Sequence, residues 1–320
     1  MSESKESRLQ RLRELVDDPP ARADYALTLL HPRYGLEVVR AALRVLVRQP
    51  HPPARQALVR LYEHYATQGV SRDPGTYVRS EIVRALRPLC EPADVVLLEQ
   101  ALMTYEFPPP AFKEEAALLR SGALVTLAEI DDVRSRFHAT RLLADPLTDP
   151  MSGEPALTAV TVLAAQGELL PLYFYATQEA ARMQPEVASA CLRSLGRLPM
   201  EALPPLVACF AECTQPVILV GLADLLLEHP DEAISQETLA RLLREVKDLD
   251  LFRYLAAALL AAGNADLRQM VLATANGAHG TLDAAKQEVL LDVLSEAGEA
   301  EDVRTAVVTL RVRRGGKRRR

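Results

Sequence analysis

One stretch, Ser71 to Cys90, contains a helix start, an apolar stripe and a helix stop, and it constrains the fold more than any other segment. Asp73 can accept hydrogen bonds from the free amides of a first helical turn, and Pro74 suits that turn. Pro88 disfavours continuation, so we predict a helix that begins at Asp73 or Pro74 and ends near Pro88. The apolar residues recur at helical spacing and require cover from other parts of the chain. They are Val78, Ile82, Ala85, Leu86 and Leu89.

Comparable amphipathic segments follow one another along the whole chain. Prolines separate them up to Pro230, and glycines separate them beyond that point. No stretch alternates apolar and polar residues with β-branched enrichment, so we expect an all-α protein. The predicted helices include Leu36 to Val47, Phe112 to Ile130, Pro155 to Gln166 and Asp302 to Val312.

Similar helix starts recur at a period in the thirties, which is typical of helical solenoids. The clearest copies are Asp73-Pro74 with Val78-Arg79, Pro185-Glu186-Val187 with Leu195-Gly196, and Asp302-Val303-Arg304 with Ala306. In these residues the chain resembles the HEAT-repeat family of the armadillo type. The periodicity that carries the resemblance extends over roughly residues 34–312.

The resemblance implies a right-handed α-solenoid of stacked antiparallel helix pairs, with about eight pairs in the chain. Because no serine- or glycine-rich linker interrupts the chain, we predict one domain over residues 1–312 that begins with an N-terminal capping helix, followed by a basic, disordered tail over residues 313–320. In this family the arginine at the position of Arg79 commonly pairs with acids between repeats, so Asp73 or a neighbouring acid is its expected partner. The resemblance implies binding far more often than chemistry.

Composition bears on the compartment. The first residues, MSESKESRLQ, lack the apolar core of a secretory signal. The longest uncharged apolar run, Pro155 to Gly167, is shorter than the ~20 residues that a spanning helix needs. The four cysteines form no disulfide framework, which is consistent with a reducing compartment. We therefore expect a cytoplasmic protein without membrane insertion.

Charge is segregated along the chain, although the total is only −6. Residues 1–90 carry 15 basic and 10 acidic residues, residues 91–310 carry 15 and 33, and residues 311–320 carry seven basic residues and no acidic ones. The corresponding net charges are +5, −18 and +7. Such segregation influences the choice of partner rather than the fold.

Two basic segments are candidate sites for an anion or an acidic partner. Arg40, Arg44 and Arg48 recur at four-residue steps, and Arg55 lies on the following helix. Like charges at this spacing repel, and a phosphate or an acidic surface would relieve the repulsion. The alternative is a solvated face paired with Glu37 or Glu63. The second segment is the tail, with Arg313, Arg314, Lys317, Arg318, Arg319 and Arg320, which could contact a partner or the acidic body of the chain.

The loop from Tyr105 to Phe112 interrupts the helical rhythm with three consecutive prolines. Its aromatic residues Tyr105, Phe107 and Phe112 are candidates for a docking site, because loops on a rigid scaffold often carry function. Alternatively, they seal the ends of neighbouring helices.

Residues with catalytic potential form no recognisable motif. The sequence has no glycine-rich phosphate loop, no nucleophile elbow and no H-E-x-x-H. Cys209 and Cys213 lie one turn apart and could approach Cys191, but cysteine is usually a packing residue. The scattered histidines are expected at the surface or in turns. We therefore predict no catalytic, cofactor-binding or metal-binding residue and no cofactor.

These observations predict a non-enzymatic scaffold or adaptor that binds a protein partner in the solenoid groove. The alternative is a nucleic-acid-binding protein that uses the arginine row or the tail, similar to the HEAT-like DNA glycosylases that excise alkylated bases. Those enzymes use tryptophans, whereas this chain has none, so no residue of their site can be assigned. A third possibility is that the chain resembles the HEAT-type lyases that attach bilin pigments, which only the predicted repeats favour. The identity of the partner and the oligomeric state stay open.

Overall fold

A computed structural model describes residues 3–277, 282–298 and 300–317. Over these residues the chain is all-helical, with 19 α-helices and short 3₁₀ turns. None of the described residues lies in a β-strand. The prediction of an all-α protein is therefore confirmed. Within the same residues, no helix is both long enough and apolar enough to cross a bilayer.

Contacts within the chain divide it into two compact units, Met1–Glu168 and Leu169–Arg320. In the first unit the α-helices are α1 Lys5–Glu14, α2 Pro19–Thr28, α3 Leu36–Arg48, α4 Arg55–Ala66, α5 Gly69–Arg72, α6 Tyr77–Leu86, α7 Val95–Leu102, α8 Ala117–Ala128, α9 Asp132–Leu143 and α10 Ala156–Ala165.

In the second unit the α-helices are α11 Leu169–Thr177, α12 Pro185–Arg193, α13 Leu203–Cys209, α14 Pro216–Glu228, α15 Glu232–Glu245, α16 Leu249–Ala261, α17 Ala265–Ala275, α18 Ala284–Glu296 and α19 Glu301–Lys317.

Each unit contains a row of helices that pack in succession. In the first unit α3 packs on α6, α6 on α8 and α8 on α10, and in the second α12, α14, α16 and α18 do the same. Side-chain bonds tie successive layers together, and in the first unit the residues joined in this way include pairs 41, 39 and 40 positions apart. In the second unit such pairs are 31 and 34 positions apart. The solenoid, its handedness and the single domain over residues 1–312 stay predictions.

The stretch that begins at Ser71 forms its helix later than predicted. Helix α6 begins at Tyr77, because Gly75 and Thr76 have φ angles of 77° and 57°, which a right-handed helix cannot contain. Asp73 still caps the helix, but it reaches over this turn to accept hydrogen bonds from the amides of Val78 (2.9 Å) and Arg79 (3.0 Å). The 3₁₀ turn that contains Pro88 ends the stretch.

Two other boundaries differ from the prediction. Helix α8 begins at Ala117 rather than Phe112, because Phe112 has a φ of 48° and Glu114 is engaged with Arg120 before the helix starts. Helix α19, expected to end at Val312, continues to Lys317. The side chains of Arg313, Arg314 and Lys317 and the whole of residues 318–320 lie outside the described part of the chain.

Candidate partner-binding groove

Helix α3 presents a polar face opposite its packing face. Arg40, Arg44 and Arg48 lie one helical turn apart and therefore form a single row along the helix. The opposite face packs on α6 and the first two helices. Its buried residues are Val38, Val39, Ala42, Leu43 and Leu46.

A groove of about 1070 Å³ runs beside this row, within the first unit. Helices α1 and α3, the start of α2 and the segment from Asp73 to Val78 form its walls. The structure thus brings the predicted row together with two cationic residues that sequence reasoning missed. The arginines that line the groove are Arg13, Arg22, Arg40, Arg44 and Arg48.

Apolar side chains line the same groove. Val16 is 54% exposed, Leu36 47% and Tyr77 56%, values that are high for large apolar side chains. Groups of exposed apolar side chains rimmed by polar residues are typical of interaction sites. Other apolar residues in the walls are Leu9, Leu12, Pro19, Ala41, Val45, Pro74 and Val78.

The carboxylates in the groove walls are already paired with other cations. Glu37 forms an ion pair with Lys5, the first residue of α1. Asp73 is 2% exposed and lies 3.1 Å from Nε of Arg79. Neither carboxylate forms an ion pair with an arginine of the groove, although the charge of Asp73 contributes to the raised pKa of Arg40.

Glu81 on α6 compensates part of the arginine row. The guanidinium group of Arg40 donates hydrogen bonds to both carboxylate oxygens of Glu81, the shorter at 2.9 Å, and these bonds raise the pKa of Arg40. Arg44 lies 3.9 Å from the same carboxylate and remains 64% exposed. Arg40 is thus fixed by hydrogen bonds, whereas Arg44 forms only a long ion pair with Glu81 and keeps most of its surface exposed to a ligand.

The remaining arginines have fewer partners. The side chains of Arg13 and Arg48 make no hydrogen bond or ion pair with any described residue. Nε of Arg22 is enclosed without a hydrogen-bond acceptor among the described residues. The groove therefore contains three guanidinium groups, those of Arg13, Arg22 and Arg48, that form no ion pair with a described residue.

The other basic candidates do not join this groove. Arg55 donates hydrogen bonds to Asp94 at 2.8 and 3.2 Å and also pairs with Glu91 at 3.1 Å. This guanidinium group links α4 to the turn before α7. The tail candidates Arg318, Arg319 and Arg320 lie outside the described residues.

A buried ion-pair network supports one wall of the groove. Arg79 is 2% exposed and donates hydrogen bonds of 2.7 Å to each carboxylate oxygen of Glu106, in addition to its bond with Asp73. The pairing of Arg79 with Asp73, expected from the family resemblance, is confirmed. Burial raises the pKa of Asp73, although its hydrogen bonds with the backbone and Arg79 oppose that shift.

Tyr105 of the candidate docking loop belongs to a second internal network. Its hydroxyl donates a hydrogen bond of 2.9 Å to Asp145 and accepts one of 2.8 Å from Arg141. The guanidinium carbon of Arg120 lies 4.0 Å from the centre of the tyrosine ring. Arg120 is fully buried and pairs with Glu114 at 2.8 Å, so this network fixes the loop against the helices.

The two phenylalanines of the docking loop remain accessible. Phe107 is 43% exposed and Phe112 is 67% exposed. Their role in docking stays a prediction, while Tyr105 acts in fixing the loop.

Histidines and cysteines occupy separate positions in the described residues, and no group of three metal-ligating side chains occurs there. Cys191 is buried, which raises the pKa of its thiol, whereas Cys209 is exposed. His229 forms a 2.8 Å hydrogen bond with the carbonyl of Leu198. His279 lies outside the described residues.

No family model matches the sequence. No curated protein matches it either. Membership of the HEAT-repeat family therefore stays a prediction.

Proposed function

We propose that this protein is a non-enzymatic scaffold or adaptor that holds a segment of a protein partner in its N-terminal groove. One observation carries the proposal: the walls combine exposed apolar side chains with guanidinium groups. Tyrosine and arginine are enriched at the energetically important positions of protein interfaces, and apolar contacts with a polar rim are typical of such sites. Tyr77 and the arginine row provide both kinds of group.

The helix rows favour a HEAT-type solenoid as the scaffold. A stack of antiparallel helix pairs would pack one helix of each pair against the corresponding helix of the next pair, and each unit has a row of helices that pack in succession. In this proposal the solenoid is right-handed and the protein acts in the cytoplasm.

Nucleic-acid binding is the second candidate, because Arg40, Arg44 and Arg48 offer evenly spaced cations to a phosphate backbone. The apolar part of the groove disfavours this candidate, since a phosphate backbone has few apolar groups that could pack against Val16, Leu36 and Tyr77. The net charge of −18 over residues 91–310 also opposes a nucleic acid.

Site-specific photo-crosslinking in the native cell distinguishes the two candidates. A benzophenone amino acid replaces Ala41 in the groove, and the matched control carries it at Ala257, an exposed position in the middle of α16. We expect an adduct at Ala41 whose added mass a nuclease leaves unchanged and which contains peptides of a second protein by mass spectrometry, with no such adduct at Ala257. An adduct whose added mass a nuclease removes would support nucleic-acid binding. Absence of any adduct at Ala41 would contradict both candidates.

A further inference from the structure

The charge balance of the groove defines what it can hold. Five arginines line the walls, against two carboxylates. Glu37 and Asp73 are each paired with a cation other than these arginines, namely Lys5 and Arg79. Guanidinium groups in such surroundings favour a ligand that supplies carboxylates or phosphates.

The arginine row also sets the spacing of the ligand charges. Residues four positions apart on a helix are separated by about 6 Å along its axis, so Arg40 and Arg48 are separated by about 12 Å. Acidic residues at four-residue spacing on a helical ligand have the same separation. Arg40 is hydrogen-bonded to Glu81, Arg44 lies 3.9 Å from the same carboxylate and is 64% exposed, and Arg48 forms no ion pair with a described residue. Arg44 and Arg48 are therefore the cations of the row that are accessible to a ligand.

Apolar contacts select the class of molecule. The exposed side chains of Val16 and Leu36 lie in the groove together with the ring of Tyr77. A polypeptide can present carboxylates to the arginines and leucine-like side chains to these residues. The groove volume of about 1070 Å³ lies at the upper limit of small-molecule pockets, which range from about 300 to 1,000 Å³, so the groove has room for several side chains of a polypeptide.

Arg22 supplies a further reason for an anionic ligand. Its Nε is enclosed without an acceptor, and an unsatisfied buried donor of a charged group is unfavourable. Because Nε itself is covered, a ligand carboxylate would approach the terminal nitrogens of this guanidinium group and stabilise its charge.

We propose that the groove binds an acidic amphipathic segment of the partner, with carboxylates against Arg44, Arg48 and Arg22 and apolar side chains against Val16, Leu36 and Tyr77. This inference rests on the proposed function and specifies the chemistry of the partner at the same site. The acidic face gives specificity and fast association, and the apolar face contributes most of the buried area.

The test measures binding of fluorescent peptides to the full-length chain by anisotropy. The probe is a peptide of about 16 residues, about 24 Å long as a helix, with Glu at four-residue spacing on one face and Leu on the other. One control peptide replaces each Glu by Gln, and a second replaces each Leu by Ser. Single-stranded DNA of about 16 nucleotides and duplex DNA of similar length serve as the competing class of ligand.

We expect the Glu/Leu peptide to bind at least about tenfold more tightly than either control peptide. The double substitution Arg44→Gln/Arg48→Gln should weaken that binding by about tenfold. The matched control Arg241→Gln/Arg244→Gln on α15 makes the same change in net charge and should leave the affinity unchanged. Binding of the Glu/Leu peptide should also weaken as salt is raised from about 50 to about 200 mM.

Other outcomes separate this inference from the proposed function. If the Gln/Leu peptide binds as tightly as the Glu/Leu peptide, the inference of an acidic partner is wrong, while the proposal of a protein-binding groove stands. Tighter binding of either DNA, with loss in the Arg44→Gln/Arg48→Gln variant, would overturn both. If no peptide binds while Ala41 still crosslinks to a protein, the acidic segment is wrong and the adaptor function stands.

Discussion

At the scale of single residues, two buried arginines connect the loop between α7 and α8 to the helices. Arg79 and Arg120 are the largest fully buried side chains in the described residues. Each is surrounded by carboxylates from the neighbouring loop, Glu106 for Arg79 and Glu114 for Arg120. These pairs hold the loop between α7 and α8 against the helices. The loop is thus ordered by charge as much as by apolar packing.

Replacing Arg79 by Ala should destabilise the protein by about 3–5 kcal/mol, because it leaves Asp73 and Glu106 buried without a cation. The matched control is Arg87→Ala, which removes an exposed pair with Glu129 and should change stability by less than about 1 kcal/mol. Urea unfolding monitored by circular dichroism gives both values. A loss for Arg79→Ala no larger than that for Arg87→Ala would contradict the structural role of the buried pair.

His138 should make stability depend on pH. Burial lowers its pKa below 6.5, the nearby Arg141 acts in the same direction, and Glu99 at 3.8 Å opposes the shift. Nδ1 is enclosed without a partner among the described residues, so the protonated ring would bury an unpaired donor. Because the unfolded chain binds the proton more readily, this contribution is fully present above pH 6.5 and is lost as pH falls toward the folded-state pKa.

The measurement is the free energy of unfolding of the wild type and of His138→Gln between about pH 7.5 and 5.5. The wild type should lose more stability than the variant over this range. The proton signal of the ring in NMR gives the folded-state pKa directly. A pKa above 6.5, or identical slopes for the two proteins, would show that the ring is not held neutral.

At the scale of helices, the apolar periodicity of the sequence was enough to predict where most helices lie. The stripe from Val78 to Leu86 is buried as expected, and α10 packs on both α8 and α9. The helix boundaries were predicted less accurately, because they depend on contacts between residues that are distant in the sequence. Glu106 and Glu114 each form an ion pair with a buried arginine, and the local sequence does not indicate which arginine that is.

The groove shows the same division between local and distant information. Spacing within one helix predicted the row from Arg40 to Arg48. Arg13 and Arg22 come from other helices and meet the row only because α1 and α2 pack on α3. The positive charge of residues 1–90 was the one signal in the sequence that pointed to them.

Alanine substitutions at two glycines test the left-handed turn before α6, one glycine within that turn and one within α8 as the control. Gly75 has a φ of 77°, and an added Cβ would lie 2.6 Å from a ring carbon of Tyr77, so Gly75→Ala should destabilise the protein by about 1–3 kcal/mol. Gly122 lies within α8, and an added Cβ would approach Val83 no closer than 3.7 Å. Gly122→Ala should therefore stabilise the protein by about 0.5–1 kcal/mol.

Thermal and urea unfolding of these two variants give the comparison directly. Opposite signs are the expected result, since the same methyl group is added in both cases. If Gly75→Ala leaves stability unchanged, the left-handed conformation of Gly75 before α6 is contradicted.

At the scale of the whole molecule, charge and contacts are distributed unevenly along the chain. The arginine groove lies within the unit Met1–Glu168, together with every residue of its walls. The two buried arginine networks belong to the same unit. All structural elements that position the candidate site are therefore local to this unit.

A fragment comprising residues 1–168 should consequently fold and keep the groove. We expect a helical circular dichroism spectrum, a cooperative thermal transition and an affinity for the Glu/Leu peptide within about threefold of that of the full chain. The fragment comprising residues 169–320 is the matched control and should not bind the peptide. A folded first fragment without binding would show that the groove needs the rest of the chain, and an unfolded one would show that the two contact units form a single folding unit.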